Sequence, residues 1–138
     1  MNLLQLKSRY SGIQTKLDRI GESGCLFLAL CTIIEEVTGY PVDLIGVVQE
    51  SMARGWLLKD FTVQNSLSLL SAFTGKVWKR KEVTNLPDVI KNNEFTIEKW
   101  FNPRTRFTHF KRRFTDTLVS SVTVKEGKIQ EYYIYYYL

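Results

Sequence analysis

The chain has 138 residues, 44% of them hydrophobic and 24% charged, which fits one ordinary globular domain spanning 1–138 and excludes a disordered chain. Its longest apolar run, Cys25 to Cys31, is far short of the roughly 20 residues needed to span a bilayer, and no apolar signal stretch opens the sequence. These features predict a cytoplasmic protein with no membrane partner. The net charge of +5 is uneven: residues 76–113 hold eleven Lys/Arg against four Asp/Glu, and the remainder holds eight against ten.

Residues 1–20 mix charged and apolar positions, and Gln14 is the one polar residue there singled out for a role. The stretch Gly21-Glu22-Ser23-Gly24-Cys25 then passes directly into an apolar run. Ser23 is the expected N-cap of a helix reaching about Val37, with Cys25 in its first turn. A thiol there feels the positive end of the helix dipole, which favours thiolate. The unpaired N–H groups of the same turn could receive a developing oxyanion. Against this stands the ordinary behaviour of free cysteine as a small buried hydrophobe. Cys31 is assigned to the core. Six helical residues separate it from Cys25, about 240° of rotation and 9 Å of rise, so the two cannot form a disulfide.

Gly39 and Pro41 end this helix. Asp43 caps a second, Leu44 to about Arg54, and Thr62 caps a third, Val63 to Phe73, closed by Gly75. The pattern then alternates. Strands are expected at Lys76–Val83, Glu94–Phe101, Arg106–Phe114, Thr117–Val124 and Lys128–Tyr137, with Asn102–Thr105 and Glu126–Gly127 as turns. Helices first and strands after predict an α+β domain, its N-terminal helices packed on a C-terminal antiparallel sheet and the Cys25 helix lying across it. The terminal tyrosine run fits a strand with β-favouring residues on both faces.

His109 is the sole histidine. Strand alternation puts it on one face with Phe107 and Lys111, opposite Thr108, Phe110 and Arg112. A symmetric hairpin centred on Arg112-Arg113 would place Asp116 directly across from it, close enough to orient the imidazole. A satisfied, partly buried strand histidine is the plainer alternative.

A Gly-Cys at a helix N-terminus, further helices, a strand bearing Thr108-His109-Phe110 and a nearby Asp116 together resemble the papain-like cysteine peptidases. The closest likeness is to small bacterial or phage-borne versions, the bacteriocin-leader-processing and NlpC-type enzymes. The segment Asp116 to Ile129 is similar to the sheet region that follows the histidine in that family. The resemblance implies a papain-like fold and a thiol hydrolase with Cys25 as nucleophile, His109 as general base and Asp116 as orienting residue. It implies no cofactor and no metal, and a peptide or peptidoglycan-like substrate. The family places an oxyanion-donating glutamine shortly before the cysteine. Residues 18–20 here are Asp-Arg-Ile, which leaves Gln14 as the candidate. Two other readings stand beside this one. One is a catalytically inactive peptidase-like module that binds a protein partner. The other is nucleic-acid binding through Lys79-Arg80-Lys81, Arg104, Arg106 and Lys111-Arg112-Arg113, which the lack of any nucleic-acid motif disfavours.

Overall fold

The computed structural model describes residues 22–113 and 122–138. Helix α1 (Glu22–Thr38) carries the apolar run, and Phe27, Leu28, Ala29, Leu30, Cys31, Ile33 and Ile34 are all buried. A helix apolar on nearly every side must sit inside the fold. It starts at Glu22, so Ser23 lies within the first turn rather than at the cap, and the cap position falls outside the described residues. Its C-terminus follows the expected chemistry. Gly39 takes a φ of +75° and donates its N–H to Glu35 O at 2.8 Å, while Thr38 Oγ1 donates to Ile34 O.

Helix α2 (Leu44–Ala53) is capped by Asp43, whose carboxylate accepts from the Gly46 N–H at 3.2 Å. Helix α3 (Ser66–Thr74) starts three residues later than the Thr62 cap predicts; its cap is Asn65, which accepts from Ser68 N–H. The reason is tertiary. Leu57 and Val63 form a β-bridge, and the N–H groups of Gln64 and Asn65 both donate to Trp56 O, so the chain is held extended until Asn65.

The strands are β1 (Trp78–Val83), β2 (Glu94–Phe101), β3 (Thr108–Arg112) and β4 (Lys128–Tyr137), forming one antiparallel sheet of order β1-β4-β2-β3. The aromatic β4 is an inner strand. Tyr133, Tyr135 and Tyr137 share a face with Phe95 and Ile97 of β2 and Trp78 of β1, and Tyr135 is fully buried with its hydroxyl on Ser66 Oγ at 3.0 Å. Cations of the preceding region cover these rings, Lys76 over Tyr137 and Arg80 over Tyr133. The tyrosine run is thus structural.

Two expectations fail. The strand predicted at Thr117–Val124 is replaced, over its described part, by a short helix α4 (Val122–Glu126) that leads directly into β4. β-Branched residues suggested a strand, but a tertiary contact decides. The Glu126 carboxylate takes Arg104 Nε and Nη2 at 2.6 and 2.9 Å and Asn102 Nδ2 at 3.1 Å, which ties this segment to the end of β2. Glu126-Gly127 is therefore no hairpin turn, and β4 pairs with β1 and β2 instead.

The second failure concerns α1. It does not lie across the middle of the sheet; its backbone comes closest to the edge strand β3 and to α3. Both faces of β3 reach it, His109 meeting Cys25 and Arg112 meeting Thr32 and Glu36. The sheet and helices still enclose one core, in which Phe27, Leu30, Ile33, Leu69, Leu70, Ile97 and Tyr135 are sealed from solvent. Among the described residues no helix is long and apolar enough to cross a membrane.

Candidate active site

Cys25 is the fourth residue of α1, still within its first turn. His109 is the second residue of β3 and pairs across the sheet with Trp100 of β2. The two side chains, 84 positions apart in sequence, meet with His109 Nδ1 at 3.1 Å from Cys25 Sγ. That is hydrogen-bond distance for a sulfur and a ring nitrogen, so a proton can pass between them without either group moving.

The alignment behind this contact rests on two matched spacings. From His109 to Arg112 is three strand residues, about 10 Å. From Cys25 to Thr32 is seven helical residues, about 10.5 Å. Arg112 donates to Thr32 Oγ1 at 3.1 Å and to Glu36 Oε2 at 2.9 Å, so α1 and β3 are pinned side by side at two points. A slip of one helical turn, 5.4 Å, would break both. No motif in the sequence signals this second pin, because it joins residues some 80 positions apart. The basic run 111–113 is its only trace in the sequence, where it enters as part of the nucleic-acid-binding reading.

Burial defines the setting. Cys25 is 1% exposed and His109 0%. On the same strand face as His109, two register pairs along, Glu98 stands across from Lys111. Glu98 Oε1 accepts from Trp100 Nε1 at 3.0 Å and lies 4.0 Å from Lys111 Nζ. The strand end before His109 is braced as well. Asn102 Oδ1 accepts from the Arg104 and Thr105 N–H groups, and Arg106 adopts a left-handed φ of +62°.

The two cysteines differ in environment. Cys31 is fully buried, and burial together with the Glu35 carboxylate pushes its thiol far above the ordinary range, so it has no nucleophilic character near neutrality. Alkylation of the native protein with limiting iodoacetamide at pH 7.5 should therefore mark Cys25 and leave Cys31 unmodified. Equal labelling of both peptides by mass spectrometry would contradict that assignment.

Of the four residues singled out from sequence, the structure brings Cys25 and His109 together. Asp116 and Gln14 lie outside the described residues. Among the described residues no group of three His, Cys, Asp or Glu side chains is placed to hold a metal ion. Comparison with known proteins finds no matching family model, no matching curated protein and no matching solved structure.

Proposed function

We propose that the protein is a thiol hydrolase of papain-like architecture that cleaves an amide bond in a peptide or peptidoglycan-like substrate. The observation that carries this reading is the 3.1 Å contact between Cys25 Sγ and His109 Nδ1 at the start of a helix. His109 Nδ1 takes the thiol proton, and the thiolate attacks the carbonyl carbon. The proton then passes to the departing amine as the C–N bond breaks, leaving a thioester on Cys25. Water, deprotonated by His109, hydrolyses the thioester and restores the thiol. By resemblance, Asp116 orients the imidazole and Gln14 donates to the oxyanion. The first turn of α1 adds its dipole to the thiolate.

The test is trapping of the thioester. Wild-type protein incubated with a peptide-amide library should show a mass increase on the Cys25 peptide, released on longer incubation, and Cys25→Ser should show no turnover. Absence of both adduct and cleavage over a broad library would overturn the proposal.

A second reading follows from burial. A thiol that is 1% exposed is also what a binding module built on a peptidase-like scaffold would retain. In that case Cys25→Ala leaves the biological activity intact.

A further inference from the structure

Strand β1 is an outer strand of the sheet, hydrogen-bonded to β4 along one side. Among the described residues nothing pairs with its other side, and Lys79, Arg80, Lys81 and Glu82 are all exposed. The ladder shows which backbone groups that side presents. Leu138 N–H donates to Val77 O at 3.2 Å, one position beyond the Trp78–Tyr137 pair. Bonded pairs in an antiparallel ladder recur at every second residue. Lys79, Lys81 and Val83 therefore commit their N–H and C=O groups to Tyr136, Ile134 and Tyr132. Those of Trp78, Arg80 and Glu82 point away from β4, and the last two belong to exposed residues. Such an edge is a template for one more strand.

The side chains decide which strand fits. Lys79 and Lys81 stand two residues apart on one face of β1. Arg80 Nη2 is 3.1 Å from Glu82 Oε1, whereas Lys79 pairs with no carboxylate among the described residues. Lys81 Nζ lies 3.0 Å from Glu94, but its side chain is 46% exposed and an ammonium has three donors, so it can take a second carboxylate. A second copy of this chain would set one Lys-Arg-Lys run against another, and like charges across a ladder oppose pairing. An acidic strand meets the opposite situation. Backbone pairing also needs N–H and C=O groups at strand spacing, which a nucleic-acid backbone lacks. From these observations we infer that β1 takes up an extended acidic peptide as an additional strand, with carboxylates at alternate positions facing Lys79 and Lys81.

This edge is separate from the candidate active site. β4 and β2 lie between β1 and the strand that carries His109, a distance of about 14 Å at the spacing of neighbouring strands. The inference therefore stands apart from the hydrolase reading, and occupancy of β1 should leave the alkylation rate of Cys25 unchanged.

The test uses the full ¹⁵N-labelled chain at low salt. The probe is an acetylated hexapeptide amide in which Glu alternates with Thr, titrated beside its Lys twin. The Glu peptide should bind about tenfold more tightly, because two cross-strand charge pairs change from opposed to matched. Its binding should slow amide exchange at Arg80 and Glu82, while Lys79 and Lys81, already bonded to β4, change little. Lys79→Glu should weaken the Glu peptide several-fold. The same peptide N-methylated throughout its backbone should not bind. Equal affinity for the twins, binding that survives N-methylation, or slowed exchange without the alternation each overturns the inference. Tighter binding of oligothymidylate than of the Glu peptide overturns the peptide assignment, as does self-association of the protein that slows the same amides.

Discussion

Replacing His109 with alanine should slow alkylation of Cys25 about 100-fold at pH 6.5, while at pH 9.5 the variant and the wild type should differ little. The argument sets two opposed effects against each other. Burial disfavours a thiolate, and an imidazolium at 3.1 Å favours it. If proton transfer within the pair wins, as the hydrolase reading requires, the thiolate persists below neutrality. Without the imidazole nothing offsets the burial that disfavours the Cys25 thiolate, and even a free thiol, ionising near pH 8.5, is only about 1% ionised two units lower. The loss therefore grows as pH falls. Iodoacetamide rates from pH 5.5 to 9.5, read on the Cys25 peptide, give the profile. His109→Gln serves as a second variant that keeps a polar side chain on the strand. Superimposable profiles for wild type and both variants would mean that the contact is a structural hydrogen bond with no consequence for the sulfur.

Phe27→Ala should cost about 3–5 kcal/mol of folding stability, a large share of the about 5–15 kcal/mol that a domain ordinarily possesses. Phe27 is completely buried and meets the ring of Phe61 edge to face at 6.1 Å. Phe61 itself sits at a left-handed φ of +66°, a conformation that bulky residues resist and that packing must sustain. The substitution thus removes core contacts and the support for a strained neighbour together. Phe107→Ala is the matched control: that ring is 64% exposed and its loss should change stability by no more than about 0.5 kcal/mol. Urea denaturation of both variants measures the difference. A cost below about 1.5 kcal/mol for Phe27→Ala would show that α1 is not sealed as the structure describes it.

The same helix shows why the candidate site was only partly legible in sequence. A thiol at a glycine-rich helix start and a lone histidine in a strand are local patterns, and each could be recognised where it stands. What they could not reveal is the distance between them, since Cys25 and His109 are 84 residues apart and nothing local ties α1 to β3. The Arg112 contacts with Thr32 and Glu36 set that alignment, and they read in sequence only as part of a basic run.

The sequence by itself determined the features whose causes act within a few residues. These are the stop at Gly39 and Pro41, the Asp43 cap, the limits of β2 and β4, and the order of helices before strands. The tertiary structure alone decided that β4 would be an inner strand and β3 would lie beside α1. It also delayed α3 to Asn65 through the bonds to Trp56 O, and it bound Glu126 to Arg104 and Asn102 so that a β-branched segment ends in a helix. Caps and glycine turns are settled by neighbouring atoms, whereas strand order and side-chain meeting points follow from which distant surfaces exclude water together.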